Sequence, residues 1–216
     1  MEITESIFRE YDIRGIYPDE INEDVVNRIA IAIAYKCHEE KISQIFIGRD
    51  GRLSGKKLLN SIASGLLDCG IDVVDIGLVT TPLLYYAAKK NKSKSGLMIT
   101  GSHNPKNHNG IKLVINDKPV SGSEILKLLK KSKKVSVSPG EIISKDFKNE
   151  YIDEVIENIN IKKDKKIKVV LDCGNGAAGC IAPELFNNLG CEVIELYSKV
   201  DGNFPNHHPD PGKIEN

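Results

Sequence analysis

The sequence carries no net charge: 30 lysines and arginines are balanced by 30 aspartates and glutamates. That excludes a general electrostatic binder of nucleic acid or of an anionic membrane and leaves only local basic sites. Long apolar runs are missing too. Stretches such as Ile29–Tyr35 fall far short of a bilayer span. The opening residues, Met-Glu-Ile-Thr-Glu, lack a charged region followed by an apolar one, so no secretory signal is expected. The five cysteines (Cys37, Cys69, Cys173, Cys180 and Cys191) form no C-x-x-C pair. They read as reduced thiols of a cytoplasmic protein, not as a zinc site or disulfide frame. Arginine is scarce: Arg9, Arg14, Arg28, Arg49 and Arg52 all lie in the first quarter of the chain. Four of them sit in two short motifs, and a planar guanidinium fork suits phosphate or carboxylate. What remains is an ordinary globular composition, 40% hydrophobic and 28% charged, over 216 residues. That length allows one large domain or two small ones.

Apolar residues at helical spacing (Val25, Val26, Ile29, Ala32, Ile33) predict a helix over Asn22–Glu40. A short strand, Gln44–Gly48, precedes a polar loop, Arg49–Gly55, and a helix from Lys56 to Asp68 that Cys69-Gly70 ends. Ile71–Ile76 reads as strand. Thr80-Thr81-Pro82 opens another helix, with threonine as cap and proline in the first turn. Strands Ser95–Thr100 and Gly110–Ile115 flank the loop Gly101–Asn109, and Ser121–Lys134 is an amphipathic helix with a lysine-rich end. Strands spaced by helices in this way predict an α/β fold over residues 1–135, with a mixed, mostly parallel sheet flanked by helices. Residues 136–165 read as a connecting segment with the helix Phe147–Ile161 and a lysine-rich hinge, Asn160–Lys166. A second α/β unit, 166–216, contains strand Lys166–Asp172, loop Cys173–Gly176, a helix to Leu189 and strand Cys191–Tyr197. Its tail, Val200–Asn216, is aperiodic. So small a unit buries little apolar surface, and a run as apolar as Ile167–Leu171 asks for neighbours on both sides. Either these strands extend the first sheet or the second domain is incomplete.

Several motifs could carry chemistry. Thr100-Gly101-Ser102-His103-Asn104-Pro105 presents a Ser-His pair at the carboxyl end of a strand, where ligands bind in open α/β sheets. Phe8-Arg9-Glu10-Tyr11-Asp12-Ile13-Arg14-Gly15 gathers two arginines, a tyrosine and two acids, which suit a phosphate or sugar, although spacing alone favours a surface strand with solvated charges. Gly48-Arg49-Asp50-Gly51-Arg52-Leu53-Ser54-Gly55 either faces an anion at a helix start or pairs Arg with Asp inside the loop. Gly174-Asn175-Gly176-Ala177-Ala178-Gly179 matches the G-x-G-x-x-G dinucleotide fingerprint in a strand–helix context, with Glu195 some way beyond. Asp172 just before the glycines would place a carboxylate near a pyrophosphate. His207 and His208, with Asp201 and Asp210, make a weak case for a metal, since adjacent histidines rarely share one ion.

Taken together and in order, Phe8–Gly15, Gly48–Ser54, Thr100–Pro105 with Asn109-Gly110-Ile111-Lys112, Asp172–Gly179 and Gly202–Gly212 resemble the α-D-phosphohexomutases, specifically their phosphomannomutase/phosphoglucomutase branch. The resemblance implies that Ser102 is a phosphoserine that trades its phosphoryl group with a phosphorylated hexose through a bisphosphorylated sugar. It implies that His103 moves a proton beside it, that Lys112 lies near the serine phosphate, and that Tyr11 and Arg14 line the substrate cleft. Mg²⁺ and a hexose 1,6-bisphosphate primer are the implied cofactors, with the Ser102 phosphate as one metal ligand. The glycine fingerprint then belongs to the start of a second domain, which makes a NAD-binding Rossmann protein a distant alternative. Phosphoglucosamine mutases are a closer alternative, but their F-G-T-D-G-x-R-G motif and the Ala before their serine differ from Phe-Arg-Glu-Tyr-Asp-Ile-Arg-Gly and Gly101 here.

The resemblance covers the first family domain and roughly half of the second. The Asp-Gly-Asp-Gly-Asp-Arg loop that holds Mg²⁺ in relatives is not in the sequence. The expectation is therefore a truncated, partial or split gene product with little or no turnover by itself. Its expected partners are a phosphorylated hexose and either a complementing C-terminal fragment or a second copy at an exposed strand edge, with no role for nucleic acid or membrane.

Overall fold

Asn22 starts the first helix, α1 (Glu23–Glu39), by accepting a hydrogen bond from the Val25 amide, the usual work of a short polar side chain at a helix start. The residues chosen by helical spacing, Val25, Val26, Ile29, Ala32 and Ile33, are all buried. The computed structural model describes residues 3–132, 137–159 and 167–214. Within them a seven-stranded sheet is built from β1 (Ile13–Ile16), β2 (Gln44–Arg49), β3 (Asp72–Leu78), β4 (Gly96–Ile99), β5 (His108–Ile115), β6 (Lys118–Pro119) and β7 (Ile142–Ser144). The order is β1-β5-β4-β2-β3-β7, with β6 on β5. The β4-β2-β3-β7 half is parallel; β5 runs antiparallel to β4, β1 and β6.

The remaining helices are α2 (Gly55–Leu67), α3 (Thr81–Lys90), α4 (Gly122–Lys131), α5 (Lys148–Asn158) and α6 (Ala182–Asn188). Alternation along β2 explains the layers. Ile45 and Ile47 face the core shared with α1 and α2, while Phe46 faces the core shared with α3 and with Phe147 and Ile152 at α5. Both faces of the sheet at β2 are thus covered, which is what a near-continuous apolar strand requires. Tyr86 of α3 meets Tyr151 of α5 edge-on, with ring centroids 5.2 Å apart, and donates a hydrogen bond to Glu154.

Three features depart from the sequence reading. β7 is a strand, an exposed edge on β3 too short to show a period of two, and the strand read over Phe8–Gly15 begins only at Ile13. The helix expected to run to Leu189 is broken into a 3₁₀ turn, Ala177–Cys180, and the short α6. Pro183 sits in the first turn of α6 and has no N–H to continue a helix from the preceding turn. The strands β8 (Lys168–Asp172) and β9 (Glu192–Leu196) pair in parallel with each other in a separate two-stranded sheet and do not extend the first one. Val170 is 60% exposed there. The lysine-rich stretch 160–166 and the boundary residues 133–136 lie outside the described residues.

No helix among the described residues is long and apolar enough to cross a membrane. All five cysteines are free. Burial pushes the Cys37 thiol up to about 12, so it packs as a small apolar group.

Candidate active site

Ser102 lies just past the end of β4, on a loop exposed to solvent. Its backbone adopts φ +52°, a left-handed conformation that costs a serine on the order of 1 kcal/mol and persists only where surrounding contacts enforce it. Those contacts begin at Asp50, immediately after β2. One carboxylate oxygen accepts from Thr100 Oγ1 at 2.8 Å and from the Gly101 amide at 3.1 Å; the other accepts from the Arg52 amide at 3.0 Å. Thr100 Oγ1 in turn accepts from the Ser102 amide at 2.8 Å.

Arg52 completes the frame. Its side chain has no exposed surface, and each of its five N–H groups finds an acceptor. Nε donates to Asp50 at 3.3 Å. Nη1 donates to the Pro105 and His108 carbonyls at 2.5 and 2.9 Å. Nη2 donates to the Ser102 and Asn104 carbonyls at 2.9 and 2.6 Å. Burial pulls the guanidinium below its ordinary value, and Asp50 opposes that shift. Gly101 lets the guanidinium lie flat against the chain, since a Cβ there would sit 2.3 Å from Arg52 Cζ. The arginine-rich loop is therefore a structural brace, which decides between its two sequence readings.

The other expected residues form an adjoining cluster. Asp12 Oδ2 accepts from Arg14 Nη2 at 2.6 Å and from Lys112 Nζ at 3.2 Å. β1 and β5 bring this about by pairing Arg14 with Gly110, two residues before Lys112. The Thr100 amide donates to the Gly110 carbonyl, so the serine loop and the Arg14–Lys112 pair are joined through one residue of β5. Ser102 Oγ and His103 Nδ1 lie 3.3 Å apart, although neighbours in sequence usually diverge. Tyr11 stands at the surface, 78% exposed.

Ser102 opens on a cleft of about 470 Å³ whose far wall is Asp172, Cys173, Gly174 and His207. The glycine fingerprint is thus close to the serine, but it is not a dinucleotide site. Asp172 takes the Gly174 amide at 2.8 Å and His207 Nε2 at 3.1 Å, and the turn leads into 3₁₀, not into a long helix whose start could face a pyrophosphate. The His207–Asp172 pair and Asp12 as shared counter-ion were not expected from sequence. The Arg52–Asp50 pairing was one of the two readings of its loop, but the hold of Asp50 on Thr100 and Gly101 was not.

Both His207 nitrogens face acceptors, Nδ1 the His208 carbonyl at 2.7 Å and Nε2 the Asp172 carboxylate. Only the protonated ring donates to both. The His208 carbonyl first, and Asp172 second, raise His207 above the ordinary value of 6.5. A raised folded-state value gives stability that is complete below the unfolded value and lost as pH rises through the folded one. Thermal melts are expected to show stability falling as pH rises through and above the ordinary imidazole value, and Asp172→Asn is expected to flatten that fall. An equal fall in the variant would contradict this.

Residues 5–137 match phosphoglucomutase/phosphomannomutase α/β/α domain I, and residues 149–216 match α/β/α domain II of the same family. A Pseudomonas putida protein named phosphomannomutase/phosphoglucomutase is 45% identical over 216 residues, covering 99% of this chain and 46% of its own length. A Neisseria gonorrhoeae phosphoglucomutase is 44% identical over 218 residues, covering 99% of this chain and 47% of its own. A Burkholderia thailandensis phosphoglucomutase/phosphomannomutase family crystal structure superposes with a TM-score of 0.92 at 37% identity, covering 99% of this chain and 48% of that one. The chain spans about half the length of the curated relatives it matches.

Proposed function

Because the chain belongs to the phosphoglucomutase/phosphomannomutase family, we propose that Ser102 carries a phosphoryl group and exchanges it with a phosphorylated hexose, the 1- and 6-phosphates being interconverted. The observation that carries this reading is the presentation of Ser102. An exposed hydroxyl stands at φ +52° on a loop fixed by a fully buried arginine, at the mouth of a cleft. Phosphoryl transfer asks chiefly for in-line positioning and charge neutralisation. A loop locked before substrate arrives supplies the first.

In the forward step the bond from Ser102 Oγ to phosphorus breaks as a bond forms from a sugar hydroxyl oxygen to phosphorus. The sugar hydroxyl gives up its proton to solvent water in the cleft, and the serine oxygen is left as an alkoxide to be protonated. His103, 3.3 Å from Oγ, is placed to supply that proton and to take it back when the reoriented bisphosphate returns its other phosphoryl group. Lys112 and Arg14 are the nearby cations for the phosphate charge, with Asp12 setting their direction. Tyr11, exposed beside them, is a candidate sugar contact.

Phosphohexomutases are generally Mg²⁺-dependent, and the ion would neutralise charge on the transferring group. Among the described residues no three His, Cys, Asp or Glu side chains could hold a metal. Ser102 offers a single ligand through its phosphate, so these residues do not make a magnesium site and no step is assigned through the ion. The relatives' names favour glucose or mannose phosphate over an aminohexose phosphate.

Lys112→Met tests the electrostatic part. Phosphoryl uptake by Ser102 from glucose 1,6-bisphosphate, followed by intact mass, is expected to slow about tenfold to a hundredfold, the worth of one charge-assisted hydrogen bond. An unchanged rate would remove Lys112 from the site.

A further inference from the structure

The tail of the second unit reaches across to the serine loop's brace. The Asp201 amide donates to the Asn175 carbonyl at 3.0 Å and Asn175 Nδ2 donates to the Lys199 carbonyl at 2.9 Å, while His207 holds Asp172. The loop between these anchors is therefore fixed to the second unit at both ends. Its middle presses on the first unit. A Cβ on Gly202 would lie 2.6 Å from the Gly51 carbonyl oxygen and 2.8 Å from the Leu53 amide nitrogen, so backbone meets backbone there. Next in line is Phe204, itself at φ +50°, whose ring centre is 5.3 Å from Arg52 Cζ.

Arg52 has no spare N–H, because all five are donated. What is left of the guanidinium is its planar surface, and Gly101 and Phe204 cover it. A ring over a guanidinium attracts the cation and also excludes water, which would otherwise compete for its donors. Four of the acceptors are carbonyls of the segment from Ser102 to His108, so loosening the arginine loosens the serine.

We propose that Phe204 is a positioning residue for Ser102, acting through Arg52: docking of the second unit's tail and rigidity of the phosphoserine loop are one coupled event. The coupling itself follows from the contacts above; its relevance to phosphoryl transfer rests on the function proposed for Ser102.

Hydrogen exchange on the whole chain tests it. In Phe204→Leu, which keeps an apolar cover but no ring, amides of Gly101, Ser102, Asn104 and His108 are expected to exchange about thirtyfold faster, the worth of one desolvated cation–π contact. Amides of α1 should stay unchanged, and Phe204→Tyr, which keeps the ring, should restore protection. Unchanged serine-loop exchange in Phe204→Leu would overturn the proposal. If that variant also loosens α1, Gly202→Ala decides, because it lifts the tail from Gly51 and leaves the ring intact. A rise confined to the serine loop supports the coupling, and no rise overturns it. Phosphoryl uptake is measured in parallel. A chain that takes up no phosphoryl group contradicts the reading of Ser102, while the exchange result still decides the coupling.

Discussion

Arg52→Met is expected to lower the unfolding free energy by about 3–5 kcal/mol, the usual cost of removing one partner from a buried ion pair. The side chain has no exposed surface and its five donors serve Asp50 and four backbone carbonyls. Methionine fills much of the aliphatic volume but donates nothing. Asp50 keeps Thr100 and two amides, so its loss is partial. The carbonyls of Ser102, Asn104 and His108 lose the guanidinium outright, while that of Pro105 keeps the His108 amide; each buried acceptor left unmet costs about 1–3 kcal/mol before relaxation toward water. Arg52→Lys should fall in between, because an ammonium has three donors and no planar fork. Urea unfolding of the three proteins checks this. A loss below about 1 kcal/mol for methionine, the range of an exposed ion pair, would mean that the brace is not what holds the loop.

Ser102→Ala is expected to do the opposite: abolish phosphoryl uptake and leave stability within about 0.5 kcal/mol, as for exposed positions without a structural role. Among the described residues the hydroxyl's hydrogen-bond contact is His103 Nδ1, at 3.3 Å, while the bonds that set the loop run through backbone atoms of residue 102. The two substitutions thus separate the group that reacts from the group that holds it. Uptake persisting in Ser102→Ala would place the acceptor elsewhere. A large loss of stability would give the hydroxyl a structural task that its contacts do not show.

Much of the first unit was legible because its signals are local. Asn22 before Val25, Val26 and Ile29 gives both a cap and a face, and Gln44–Gly48 is apolar enough to be recognised as a strand without any partner. β7 was not legible, since Ile142–Ser144 becomes a strand only by pairing with β3, and the strand reading of Phe8–Gly15 could not show that it is β5 that Ile13–Ile16 joins. The break before Leu189 comes from Pro183, which has no N–H to carry a helix on from the preceding turn. At the site, Ser102, His103, Arg14 and Lys112 stood out through their motifs, but which of them meet depends on strand register. Arg52 shows the limit most clearly. The same Gly-Arg-Asp-Gly-Arg run can bind an external anion or satisfy its own loop, and only burial separates the two. The glycine fingerprint misled for a similar reason, because its spacing is fixed by a turn that serves Asp172 and His207 as well as it would serve a pyrophosphate.

The most direct test of the central claim is to locate the phosphoryl group. The chain would be incubated with glucose 1,6-bisphosphate and Mg²⁺, digested, and its peptides mapped by mass spectrometry under conditions that preserve phosphoserine. The expected result is one added phosphoryl group, on Ser102, a single stoichiometric uptake that needs no turnover. A phosphoryl group on any other residue, or none on a chain that is folded and intact, would contradict the account.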